Sequence, residues 1–217
     1  MKNNIQFITT VLLLVSILEI SAQKKSMQSA SRVLFGVGVI ETSDKFEGTT
    51  TYQMTGNRIG TELSGVNAIG NLILNMDATT YDTFLNLEKH VRKDGGFELS
   101  IVFEVTAKND VTVDVKKGKS LIFLLESGRI ELNTEGAFNK DFDFSDSSSK
   151  ASARYPLTEE QLNEINQSDV VEFRIVLDSH QSGEAEERDN HQLHLDGKFS
   201  KKNKRVWAEF VDEFLTL

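Results

Sequence analysis

The residues of this chain that could do chemistry fall into a few small groups. His191 and His194 lie close in sequence to His180 and to an acidic run with Glu184, Glu186, Glu187 and Asp189, a set that invites a metal ion. Spaced three apart on a strand, however, positions 191 and 194 point to opposite faces. Solvated histidines beside an acidic loop are expected instead. Asp141, Asp143 and Asp146 could offer carboxylate oxygens to calcium, but the further ligands and the turn glycine of a calcium loop are missing, so a polar loop is expected. Glu159 and Glu160 could form an acid–base pair. At the start of a helix their charge is explained by the helix dipole.

Other patterns are equally incomplete. Gly36-Val37-Gly38 lacks the third glycine of a dinucleotide site, and no Gly-x-Ser-x-Gly, His-Glu-x-x-His or phosphate-loop string occurs. With no cysteine, thiol catalysis and thiolate metal sites are excluded. Lys198, Lys201, Lys202, Lys204 and Arg205 form one basic cluster, read as solvated charge ahead of a helix. No catalytic, cofactor-binding or metal-binding residue is assigned, and no cofactor is expected.

The elements that would position any site are mostly strands, since the apolar period is mostly two. Val33 to Ile40 reads as a buried strand, Phe46 to Met54 as a threonine-rich strand ending at Gly56-Asn57, and Leu72 to Met76 as another. Glycines at 56, 60, 65 and 70 predict a loop or short irregular strands between them. Residues 82–92 fit helix or strand, and Asp94-Gly95-Gly96, a hairpin turn into Phe97–Thr106, favours strand. Val111, Val113 and Val115 alternate ahead of a hairpin made of residues 121–125 and 129–132. Residues 133–150 are expected to be a mobile polar loop.

Tyr155-Pro156-Leu157-Thr158 predicts a helix start, with Thr158 and Gln161 as a capping box. Strands are expected over Val170–Leu177 and His191–Phe199, the second interrupted at Asp196-Gly197. Val206, Trp207, Phe210, Val211 and Phe214 repeat at helical spacing over Lys204–Leu217. The expected fold is therefore mainly β (α+β): a two-layer antiparallel sandwich or half-open barrel with one short helix and a C-terminal helix packed on the sheet. Trp207 belongs to the buried face of that helix.

Residues 1–22 read as a cleavable export signal. Lys2 precedes a mostly apolar stretch from Ile5 to Leu18, and Ser21-Ala22 precede the polar Gln23-Lys24-Lys25. The apolar stretch is shorter than the ~20 residues a spanning helix needs. Cleavage after Ala22 would leave residues 23–217 as a single β-rich domain with no transmembrane segment, in the periplasm, at the cell surface or outside the cell. The net charge of −9 weighs against nucleic acid, which rewards basic patches.

Three strings carry a family resemblance. They are Asp44-Lys45-Phe46-Glu47-Gly48-Thr49-Thr50, the run Lys117 to Leu124 with Ser127 to Leu132, and Ala153 to Leu162 with Val171 to Ile175. Together they make the chain from Asp44 onward resemble a broad group of uncharacterised exported β-rich proteins of Gram-negative bacteria. The group has no assigned activity, so the resemblance implies a fold and carries over no functional residue. A non-enzymatic exported domain that binds a protein or an envelope component is the leading expectation. The alternative is a hydrolase or small-ligand carrier whose site is assembled from distant residues.

Overall fold

The computed structural model describes residues 36–64, 81–107, 111–143, 148–169, 171–181 and 191–216. The signal segment, the expected strand at Leu72–Met76, Asp146 and the acidic run of 184–189 lie outside these residues. Within them the chain forms two curled antiparallel sheets and two helices. The first sheet runs in the order β1 (Gly38–Asp44), β2 (Thr49–Thr55), β5 (Tyr81–Val91), β6 (Phe97–Ala107), β11 (Ser148–Leu157), β10 (Ala137–Asp143), with β3 (Arg58–Ile59) also beside β5. The second runs β4 (Thr61–Ser64), β13 (His191–Lys198), β12 (Val171–Gln181), β8 (Ser120–Leu125), β9 (Arg129–Asn133), with β7 (Val111–Asp114) also beside β12. Helix α1 spans Glu159–Gln167 and helix α2 spans Lys201–Thr216. The expected mainly β, two-layer architecture with a C-terminal helix is the one observed.

Alternation explains most of the strands. Leu99, Ile101, Phe103 and Val105 of β6 face inward and are buried. The ambiguous stretch around 82–92 is strand β5, joined to β6 by a turn in which the Arg92 N–H donates to Gly96 O and Gly95 takes φ 82°. Thr158 accepts from the Gln161 N–H while the Gln161 side chain accepts from the Thr158 N–H, so the predicted capping box is present.

Several expectations are corrected. Of residues 133–150, Ala137–Asp143 form β10 and Ser148 begins β11, so these described parts are strand rather than loop. Tyr155-Pro156-Leu157 ends β11 rather than opening the helix. In β11 the buried inward series is Ser149, Ala151, Ala153, Tyr155 and Leu157, whose first members are too small to read as an apolar stripe. Of the expected buried strand Val33–Ile40, residues 33–35 lie outside the described residues; Val37 is buried, but the strand observed, β1, begins at Gly38 and is a largely exposed edge, and Phe46 projects from the β1–β2 turn. Strand β13 runs unbroken through Asp196-Gly197, and α2 begins three positions earlier than its stripe suggested.

The second sheet has one irregularity of consequence. Leu121 pairs with Ile175 and Asp114 with Asp178, so residues 115–120 stand opposite only Val176 and Leu177. That excess chain loops out and is held by Gly118 N–H to Thr134 O and Ala137 N–H to Val115 O.

The inner faces of both sheets and one side of each helix merge into one core. A row of aromatic rings joins Phe123 to Phe173 (6.4 Å), Phe173 to Phe199 (6.0 Å) and Phe199 to Trp207 (5.4 Å). Helix α2 is tied to the first sheet at both ends. Asn203 Nδ2 donates to Asn57 Oδ1 and Arg58 O, and Lys89 Nζ donates to Phe214 O. Lys89 is buried, and desolvation lowers its pKa, opposed by the Glu159 carboxylate. The Tyr155 and Tyr81 hydroxyls are buried without a hydrogen-bond partner among the described residues. Burial pushes both phenols up, Tyr81 to about 12. A phenol whose folded pKa exceeds its unfolded one stabilises the fold below the unfolded value, and that contribution is lost as pH rises through the folded value. The thermal midpoint is therefore expected to fall between about pH 10 and pH 12. Tyr155→Phe is expected to flatten that limb, as followed by circular dichroism.

Candidate functional site

The outer face of the second sheet carries the most organised exposed side chains. In an antiparallel pair, opposite residues share a face. One row across β13, β12, β8 and β9 therefore reads Lys198, Glu172, Leu124, Arg129, and the row beside it reads Asp196, Arg174, Ile122, Glu131. Two apolar residues occupy the middle, with charges of alternating sign on either side. Arg174 grips Asp196 with two bonds, Nε to Oδ1 at 2.7 Å and a terminal nitrogen to Oδ2 at 2.6 Å. Lys198 Nζ donates to Glu172 Oε1 at 3.2 Å, and Arg129 pairs with Glu131.

The electrostatics fix these charges. The hydrogen bonds it donates to Asp196 hold the Arg174 guanidinium above its usual range, against a smaller effect of desolvation. The Ser120 hydroxyl, joined by Arg129, holds the Glu131 carboxyl below its usual range. With each charge in a pair, the surface offers shape and a fixed charge pattern. A shallow groove of about 250 Å³ runs over Ile122, Leu124 and Arg174. Leu124 is 51% exposed at its floor. The surface continues past Glu172 and Asp196 into a recess of about 480 Å³ beside Gly60, Thr61 and Lys198.

Two other places hold chemistry-bearing groups. A recess of about 690 Å³ opens between the β5–β6 turn and the start of α1, lined by Arg92, Phe97, Glu98, Glu159 and Glu160 among others. Asp114 and Asp178 face each other across β7 and β12. Lys140 pairs with Asp114 and Lys119 with Asp178, while Asp114 Oδ1 and Asp178 Oδ2 are buried without a hydrogen-bond partner among the described residues. Among the described residues a hydroxyl meets a histidine at Thr51 Oγ1 and His90 Nδ1, 2.9 Å apart, and neither residue lines any of the three recesses.

The residues singled out from sequence are dispersed. His180 falls in β12, whereas His191 and His194 fall in β13. Asp141 and Asp143 belong to strand β10 rather than to a loop. Among the described residues, no group of three histidine, aspartate or glutamate side chains is placed to hold a metal ion. Glu159 and Glu160 lie in the first turn of α1. There the backbone N–H of Glu160 and the Thr158 hydroxyl hold the Glu160 carboxyl low. The basic cluster is divided: Lys198 is in β13, whereas Lys201, Lys202, Lys204 and Arg205 begin α2. Lys204 bonds to Ser168 O. Trp207 is buried.

The groove residues were not singled out from sequence. Their signal is the polar alternation of Glu172 and Arg174 between Val171, Phe173 and Ile175, which marks an outer face but not its neighbours. No protein-family model, curated protein or solved structure matches the chain.

Proposed function

We propose that this is an exported, non-enzymatic binding domain that engages a protein or cell-envelope component through the outer face of its second sheet. One observation carries the reading: Ile122 and Leu124 form an apolar centre framed by alternating charges in fixed pairs. Interfaces combine an apolar centre with a polar, hydrogen-bonded rim in this way. The filled core beneath also favours surface recognition, since Tyr155, Phe103, Phe123 and Trp207 occupy the space between the sheets. A carrier would need that space for its ligand.

Export rests on the signal-like residues 1–22 and on the resemblance to exported Gram-negative proteins. The alternative, a hydrolase built from distant residues, draws on the facing carboxylates of Asp114 and Asp178. Neither lines any of the recesses above, so binding is preferred.

The test is recovery of the protein from the envelope fraction after mild cross-linking. Intact mass is expected to show a chain beginning at Gln23. Leu124→Asp is expected to keep the thermal midpoint, because Leu124 is half exposed, while weakening partner capture by roughly 30-fold, as for a central interface residue. Capture unaffected by Leu124→Asp would move the binding surface elsewhere, and a chain retaining Met1 would overturn processing.

A further inference from the structure

Sheet edges present unpaired backbone groups, and natural proteins blunt them with short strands, charged side chains (lysine above all), proline or bulges. Three of the four outermost strands here are blunted. Strands β4 and β9 are short, at four and five residues. Strand β10 has an irregular register between Ala137 and Asn139 and carries Lys140. Strand β1 differs in degree: its seven residues, Gly38-Val39-Ile40-Glu41-Thr42-Ser43-Asp44, contain no lysine or proline and pair with β2 in unbroken register, and their one charge before the terminal Asp44 is Glu41. Among the described residues no strand pairs with its other side. Ile40, near its centre, is 54% exposed.

We infer that β1 is the contact surface for a second copy of this chain, with the two β1 strands pairing antiparallel about a two-fold axis through Ile40. The register follows from the side chains. A two-fold axis perpendicular to the sheet keeps each face on its own side, so the axis must pass through one residue and its own copy. Placed at Glu41, it opposes two carboxylates, which is destabilising. At Thr42 it sets Ile40 against Asp44. At Val39 it leaves the second half of the strand unpaired. At Ile40 it sets Ile40 against Ile40, Val39 against Glu41 and Gly38 against Thr42. No like charges then meet, and the exposed isoleucine is covered by its own copy on the outer face. Ile40 shares that face with its cross-strand neighbours Gln53 and Glu88. Edge pairing over so few residues buries less than the ~1,200 Å² of a standard stable interface, so the dimer is weak and concentration-dependent.

The absence of native cysteine makes the register directly testable. In the full chain under mild oxidation, Ile40→Cys is expected to form a disulfide-linked dimer. Directly opposed strand residues have Cβ atoms about 4.5–5.5 Å apart, near the reach of the bond. Phe46→Cys, in the fully exposed β1–β2 turn, and Thr42→Cys, two positions along the same face, are expected to cross-link at least about tenfold more slowly. Cross-linking that follows exposure, with Phe46→Cys as fast as Ile40→Cys, overturns the inference. In analytical ultracentrifugation the native chain is expected to dimerise with rising concentration. Ile40→Lys is expected to remain monomeric with an unchanged thermal midpoint. A native chain that stays monomeric at millimolar concentration overturns the inference as well.

Discussion

Phe210→Ala is expected to lower the unfolding free energy by about 3–5 kcal/mol, the usual cost of truncating a buried aromatic to alanine. Phe210 is fully buried on the inner side of α2, with Phe214 edge-on at 6.1 Å. Removing its ring forfeits the transfer energy and leaves a cavity that the surrounding core can only partly close. Against a total stability of about 5–15 kcal/mol this is a large fraction. A chain of this size would show it as a fall of roughly 6–20 °C in thermal midpoint. Trp207→Ala is expected to behave alike, since Trp207 ends the aromatic row that begins at Phe123. If the stripe on α2 were instead a surface for capturing a partner, the alanine variants would keep their midpoints and lose association. An unchanged midpoint for Phe210→Ala would therefore overturn this account of the core.

Gly197→Ala is the second large effect, and its cause is crowding. A Cβ at position 197 would stand 2.3 Å from Cζ of Phe173 and 2.8 Å from the backbone oxygen of Gly60. Neither neighbour yields cheaply. The Phe173 ring is held between Phe123 and Phe199, and Gly60 O belongs to the chain entering β4. Overpacking of this kind typically costs about 1–3 kcal/mol, and the upper end is expected here. The double variant Gly197→Ala/Phe173→Leu is expected to recover part of the loss, because the smaller side chain vacates the contested space. Additive losses in urea denaturation would show that the two positions do not compete.

Gly197 also shows where the sequence was legible and where it was not. As a local signal, Asp196-Gly197 reads as a break, since glycine weakens strands. Its real cause is a ring from the neighbouring strand, which no reading of residues 191–199 could supply. Elements whose information is local were legible: the alternation of β6, the turn at Gly95, the capping box of α1 and the stripe of α2. Strands β10 and β11 were hidden because Ser149, Ala151 and Ala153 bury little apolar surface and stand among charged residues. The start of α2 was hidden because its cap, Ser200 with Asn203, uses a short amide in place of the usual glutamate or glutamine. The candidate groove was legible only as separate alternations, because which residue of β13 meets which of β12 and β8 is set by register.

The two ties on α2 also determine when the fold can be completed. Asn203 bonds to Asn57 across 146 positions of chain, and Lys89 reaches Phe214 across 125. Contacts of such separation must pay loop-closure entropy before they return any stability, which makes folding slow. Trp207, Phe210 and Phe214 reach the core only after every described strand of both sheets has been made. A growing chain therefore cannot hold a closed core, and its early strands stay separable until α2 arrives and bridges them.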